Sequence, residues 1–149
     1  MLHRESSLTT SLSNKRRRPL PIQNASVYIF TAQALITGQE SCSSAQDLII
    51  DCGTIHHIFN NKNLFCSLSE INCMKVSTGK LSSTLSAIGL GMVKSICNNK
   101  PLIFANSLFV PELNCNLVSL LKLFDEKLVI RQCKSHFTLE SKGSVIMKG

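Results

Sequence analysis

An aspartate that follows a short apolar run is the residue best suited to chemistry in this sequence. Residues 48–50 are apolar and lead directly into Asp51, after which come Cys52, Gly53 and Thr54. The apolar run predicts a buried strand, and the glycine permits a tight turn after it. A carboxyl group delivered in this way has restricted hydration, which suits it to acid–base chemistry. The simpler interpretation, an aspartate that ends a strand and caps a turn, stays open.

One carboxylate does not complete such a site. Two carboxylates about 3 Å apart cannot both ionise, so one acts as a base toward water while the other acts as an acid. Asp47 and Asp125 lie in no comparable sequence setting. We therefore expect any such pair to be assembled from two chains.

Cysteine and histidine side chains offer two further chemistries. Cys52 and His56 could form a nucleophile–base pair, although their four-residue spacing does not establish the geometry that such an enzyme needs. His56 and His57 could bind a metal ion, but no third ligand is spaced to join them, and packed or surface histidines are the simpler interpretation. No cysteine pair has the spacing of a zinc site, so we expect no metal and no cofactor.

Short apolar runs separated by turn residues predict the elements that position these groups. The strand candidates are residues 27–30, 48–50, 74–76, 85–88, 92–96, 102–104, 108–110, 129–131, 137–139 and 145–147. One segment has helical spacing instead, with Asn116 as N-cap and an apolar stripe of Leu117, Leu120, Leu121 and Phe124. That stripe is either core or a surface for a partner. The pattern predicts a small all-β barrel or sandwich with one short helix.

Positive charge is concentrated at the N-terminal end of the 149-residue chain, whose formal net charge is +7. Residues 1–24 are poor in large apolar side chains and contain the run Lys15, Arg16, Arg17 and Arg18. We expect a flexible basic tail over 1–24 and one folded domain over 25–149. The basic run is either a solvated linker or a weak contact for nucleic acid.

The sequence also bears on the compartment of the protein. No segment has the apolar length of a membrane span or of a signal-peptide core, so we expect no membrane contact. Its seven cysteines are irregularly spaced, which is typical of reduced, partly buried thiols. These features predict an intracellular protein of the cytoplasm or the nucleus.

Residues 51–57 resemble the Asp-Ser-Gly-Ala-x-x-His signature of the protease region in copia-type retrotransposon polyproteins, a retropepsin-like aspartic protease. Four further segments resemble motifs of that family, in the same order and at similar spacing, namely 76–80, 88–93, 108–113 and 116–120. The resemblance covers about residues 47–149. It implies a small all-β, retropepsin-like β-barrel with one short helix, here as a fragment of a Pol polyprotein.

The resemblance also implies which residues act. Asp51 would be the catalytic aspartate, with Cys52, Gly53 and Thr54 completing its loop. The flap that closes over a peptide would contain Ser77, Thr78, Gly79 and Lys80. Such a chain works as a symmetric homodimer with one Asp51 from each subunit, and its substrate would be a Gag-Pol-like polyprotein.

Position 52 departs from the family pattern. The family has Ser or Thr there, and that hydroxyl helps to lock the two catalytic loops together across the dimer. Cys52 supplies only a thiol, which is a weaker hydrogen-bond donor. The alternative function is therefore a catalytically inactive retrotransposon remnant that acts as an interaction module.

Overall fold

The structure is a computed structural model that describes residues 27–30, 47–77, 84–97 and 99–149. Within these ranges the chain is mostly strand, with one short α-helix and one 3-10 turn at Lys62–Leu64. The strands are β1 (Val27–Phe30), β2 (Leu48–Asp51), β3 (Ile58–Phe59), β4 (Phe65–Ser77), β5 (Thr84–Cys97), β6 (Lys100–Phe109), β7 (Asn116–Ser119), β8 (Leu128–Gln132), β9 (Phe137–Ser141) and β10 (Ser144–Lys148). The helix α1 is Leu120–Asp125. The predicted all-β class with a short helix is confirmed, while the predicted tail, with its basic run 15–18, lies outside the described residues.

The strands form two sheets, neither of which closes on itself. The larger sheet has the order β1-β2-β7-β3-β6-β5-β4, and the smaller one has the order β10-β9-β8. Strands β1, β2 and β7 run parallel to one another, whereas β4, β5 and β6 pair antiparallel. The parallel group places the carboxyl ends of β2 and β7 at the same edge.

Strand β2 is buried on both faces, as its unbroken apolar run predicts for a parallel strand. Side chains alternate between the faces, so Leu48 and Ile50 join one apolar cluster while Ile49 joins another. The first cluster also contains Leu128 and Leu139, which belong to the smaller sheet. Packing in the two clusters holds β2 on both faces and so fixes the position of Asp51 at its end.

Strands β4 and β5 form a long antiparallel pair with irregular register. The predicted strands 85–88 and 92–96 are parts of one continuous strand, β5, so their prediction as two strands is wrong. Gly89 and Gly91, which lie between them, allow a close approach rather than a turn, since a Cβ on Gly91 would clash with the Ser67 carbonyl oxygen. The strand therefore continues through both glycines.

The predicted start of the helix is also wrong. Residues 116–119 form β7, which pairs in parallel with β2, and Ser119 rather than Asn116 caps the helix. The buried residue of α1 is Leu123, whereas Leu121 and Phe124 of the predicted stripe are each 52% exposed. Backbone pairing with β2 takes precedence over the helical spacing of the leucines, because it satisfies the hydrogen bonds of a buried segment.

Two smaller predictions concern membranes and thiols. Among the described residues, no helix combines the length and the apolar character needed to span a bilayer. Cys115 is buried, as expected of a small apolar side chain, whereas Cys52, Cys66, Cys73 and Cys133 are exposed. The prediction of partly buried thiols is thus wrong for these four residues, which lie on open strands and loops.

Candidate functional site

Asp51 is the last residue of β2 and lies where the parallel strands end. Its side chain is only 1% exposed, although the loop that follows is open to solvent at Cys52 and Gly53. The sequence prediction of an aspartate carried by a buried strand into a glycine-containing loop is confirmed. Within the single chain, the Asp51 carboxyl group is shielded from water, while the loop beside it is exposed.

The carboxylate of Asp51 is oriented by its own loop. The backbone N–H of Gly53 donates a hydrogen bond of 2.8 Å to Oδ1 of Asp51. A Cβ at position 53 would lie 3.3 Å from the same oxygen, which is tighter than most contacts of that kind. Glycine at this position therefore lets the backbone approach the carboxylate closely enough to donate.

Ser119 attaches the same loop to the start of α1. It lies opposite Asp51 in the parallel pairing of β2 with β7 and is fully buried. Its hydroxyl donates to the carbonyl oxygen of Thr54 at 2.7 Å and accepts the backbone N–H of Lys122 at 3.3 Å. One side chain thus caps the helix and holds the loop after Asp51.

His57 ends the loop and is fully buried. Its Nδ1 accepts the backbone N–H of Ser119 at 3.1 Å, and its ring packs edge-on against Phe104 at 5.1 Å between centroids. Burial first, and the positive charge of Lys122 second, lower the pKa of His57 from 6.5 to about 4. His57 is therefore neutral at pH 7.

The other ring nitrogen of His57 points toward a carboxylate without reaching it. Nε2 is buried, has no hydrogen-bond partner, and lies 4.0 Å from Oε1 of Glu126. Burial raises the pKa of Glu126, which is the direction expected when a carboxylate loses hydration. The distance is too long for a hydrogen bond.

The two alternative chemistries gain no support from this geometry. His56 is half-buried, its Nδ1 has no partner, and no hydrogen bond connects it with the exposed Cys52. Burial and the charge of Lys122 lower the pKa of His56 as well. Within the part of the chain that the structure describes, no three His, Cys, Asp or Glu side chains are grouped as metal ligands would be.

The two other aspartates named from the sequence, Asp47 and Asp125, differ in burial. Asp47 is buried at the opposite end of β2, about 13 Å along the strand from Asp51 at the usual rise per residue. Asp125 is exposed at the end of α1. Asp47 is therefore too far along the strand to form a close carboxylate pair with Asp51.

The segment predicted as a flap is described only at its edges. Ser77 is the last residue of β4 and pairs with Thr84 of β5. Thr78, Gly79 and Lys80 lie outside the described residues. The strands on both sides of this segment pair antiparallel, as a hairpin requires.

Ser119 was not predicted as a residue of the site. The signal that could have found it is a serine directly before a run with helical character, since serine is a preferred N-cap. Asn116 was predicted as the N-cap instead. In the structure, the amide of Asn116 accepts from the N–H of Asn60 and donates to the carbonyl of Asp47.

Comparison with known protein families places this site inside one matched segment. A family model described as Pol polyprotein, beta-barrel domain, matches residues 48–128, which is more than half of the chain. The match begins with β2 and ends at the first residue of β8, so it contains the Asp51 loop and Ser119. No curated protein matches the chain.

Proposed function

The chain belongs to the family of Pol polyprotein β-barrel domains, and we propose that it is a copia-type, retropepsin-like aspartic endopeptidase domain. In this proposal two copies associate, and each contributes one Asp51. The observation that carries it is the placement of Asp51, which is 1% exposed at the end of a buried parallel strand and held by the Gly53 N–H. The substrate is a polypeptide, in the first place the polyprotein that contains the domain.

The chemistry follows from placing two carboxyl groups side by side. Two such groups share one proton, because both cannot be ionised at close range. The ionised Asp51 takes a proton from a water molecule, whose oxygen adds to the carbonyl carbon of the peptide bond. The protonated Asp51 of the second chain gives its proton to the carbonyl oxygen, and a further proton transfer to nitrogen releases the amine.

The requirement for two chains rests on the positions of the acids. Asp47 lies at the opposite end of β2 from Asp51, and Asp125 is exposed at the end of α1, so in this proposal the second carboxylate comes from another chain. The exposed Cys52 and Gly53 mark the side from which a second loop can approach. A two-fold axis beside this loop would bring identical residues together, as in any isologous dimer.

The substrate-binding part of the proposal uses the β4–β5 pair. An extended peptide would lie between the loop of Asp51 and the segment 77–80, and would pair with strand edges through its backbone. Ser77 of β4 pairs with Thr84 of β5. Side-chain pockets along the peptide would then set the cleavage preference.

Cleavage of a mixed peptide library, read by mass spectrometry, tests the proposal. The wild-type chain is expected to cut peptides at acidic pH, because the mechanism needs one proton on the carboxyl pair. Asp51→Asn removes the base and should abolish cutting, while the matched variant Asp125→Asn changes an exposed carboxylate on α1 and should keep it. Cutting that survives Asp51→Asn would overturn the proposal.

Substitutions of Cys52 distinguish this function from that of an inactive interaction module. In the family that the sequence resembles, a hydroxyl at this position locks the two loops, and a thiol donates more weakly. Cys52→Thr should therefore raise both the dimer fraction and the cutting rate, whereas Cys52→Ala should not. If wild type, Cys52→Thr and Cys52→Ala all fail to cut, the inactive module is the better assignment.

A further inference from the structure

Two hydrogen bonds connect the loop after Asp51 with a single residue of another strand. The Ser119 hydroxyl donates to the Thr54 carbonyl, and the Ser119 backbone N–H donates to Nδ1 of His57. The loop 52–57 is thus attached at its middle and at its end to the residue that lies opposite Asp51. Loss of the hydrogen bond between the Ser119 N–H and His57 Nδ1 would detach the end of this loop from Ser119.

The second bond specifies the proton arrangement of the His57 ring. A backbone N–H can only donate, so the Nδ1 that faces it must be without a proton. The ring proton of neutral His57 then resides on Nε2, the atom that lies 4.0 Å from Glu126 Oε1. Protonation of Nδ1 would set two donors against each other and break the bond to Ser119.

We propose that His57 is a positioning residue, which in its neutral, Nε2-protonated form holds the loop 52–57 on Ser119 and so places the Asp51 carboxylate. His57 does not touch a substrate in this proposal. The structural claim, that His57 holds the loop on Ser119, rests on contacts within the single chain. Its catalytic consequence rests on the proposed endopeptidase function.

The surroundings of His57 favour the neutral ring. The ring is fully buried with its edge toward Phe104, and Lys122 on α1 and His56 in the loop both oppose a positive charge there. Glu126 lies with Oε1 4.0 Å from Nε2, and burial raises the pKa of its carboxyl group. The bond to Ser119 therefore persists well below the pH at which an exposed histidine gains a proton.

Nitrogen-15 NMR of the imidazole ring in the wild-type chain tests the proton arrangement directly. We expect an Nε2-protonated, Nδ1-unprotonated ring for His57 at about pH 6, where exposed histidines are partly charged. An Nδ1-protonated ring or a charged ring for His57 at that pH would contradict the proposal.

Two substitutions test the positioning role. His57→Asn keeps an acceptor oxygen near the place of Nδ1, whereas His57→Phe keeps an apolar ring and removes the acceptor. Exchange of the Ser119 amide hydrogen should be at least about tenfold faster in His57→Phe and within about threefold of wild type in His57→Asn. Equal exchange in wild type and His57→Phe would show that the acceptor does not hold the loop.

Peptide cleavage then tests the catalytic consequence. We expect kcat to fall at least about tenfold in His57→Phe, with KM little changed and kcat largely recovered in His57→Asn. Equal loss in both variants would assign His57 a packing role only. If wild type cuts no peptide, the proposed function fails, while the ring NMR and the amide exchange still decide the structural part.

Discussion

The hydroxyl of Ser119 donates a hydrogen bond of 2.7 Å to the carbonyl oxygen of Thr54, which lies 65 positions away in the chain. Ser119 also begins the helix, because the same hydroxyl accepts the N–H of Lys122. The loop that carries Asp51 and the helix α1 therefore depend on one buried side chain. Position 119 is a point at which the stability of the fold and the geometry of the site can be changed together.

Substitution of Ser119 by alanine should destabilise the protein. The change removes the helix cap and leaves the Thr54 carbonyl without its donor, each of which costs about 1 kcal/mol, so we expect a loss of about 2 kcal/mol. Urea denaturation measures this loss. The control Ser69→Ala alters an exposed serine of β4 and should stay within about 0.5 kcal/mol of wild type. Equal stabilities for the two variants would contradict the role of Ser119.

Protonation of His57 predicts how stability depends on pH. Its pKa is about 4 in the fold and 6.5 in the unfolded chain, so the unfolded chain binds more protons between these values. The contribution of neutral His57 to the free energy of unfolding is fully present above pH 6.5. It is lost as the pH falls toward 4, and the total loss is about 3 kcal/mol. Glu126, whose pKa is raised by burial, acts in the opposite direction and reduces the slope.

Chemical denaturation of wild type and His57→Asn at several pH values between 7 and 4 checks this prediction. The variant should show a flatter dependence, because its amide does not titrate. Ser69→Ala, which alters an exposed serine and removes no titratable group, is the control and should keep the wild-type slope. If wild type and His57→Asn lose stability in parallel, His57 does not have the lowered pKa that its burial requires.

The close approach of β4 and β5 predicts a difference between two glycines. A Cβ on Gly91 would meet the Ser67 carbonyl oxygen, which is backbone and cannot move aside, so we expect Gly91→Ala to cost about 3 kcal/mol. A Cβ on Gly89 would first meet Cδ1 of Leu68 at 2.8 Å, the end of a flexible side chain. Gly89→Ala should therefore cost about 1 kcal/mol. Thermal unfolding compares the two, and the reverse order would contradict the close approach of β4 to β5 at Gly91.

The corrected face of α1 gives a further prediction. Leu123 is completely buried in the main apolar cluster, so Leu123→Ala should cost about 3 kcal/mol through lost burial and a cavity. Leu121 is 52% exposed, and Leu121→Ala should change stability by less than about 0.5 kcal/mol. Urea denaturation measures both. A larger loss for Leu121→Ala would restore the helical stripe that the sequence predicted.

The sequence alone predicts those parts of the fold that depend on local patterns. The apolar run before Asp51 predicted a buried strand, and Gly53 predicted the tight loop after it, because both signals lie within a few residues. The division of β5 at its glycines failed for a physical reason. In a sequence, a glycine that ends a strand cannot be distinguished from a glycine that allows close approach of a neighbouring strand until that neighbour is known.

The pairing of Asp51 with Ser119 lay beyond sequence reasoning. It depends on parallel strands from distant parts of the chain, and the helical spacing of Leu117, Leu120 and Leu121 favoured another structure for residues 116–119. The contact of His57 with Ser119 follows from the same pairing. A single sequence contains no local signal for either contact, so this part of the site emerged only from the structure.

Mixing wild-type and Asp51→Asn chains at constant total concentration tests the central claim most directly. If each active site needs one Asp51 from each of two chains, only dimers of two wild-type chains cut peptides. An equal mixture should then retain about one quarter of the wild-type cleavage rate at a concentration where the chain is dimeric. A retained rate of about one half would show that each chain acts alone, and would contradict a shared aspartate site.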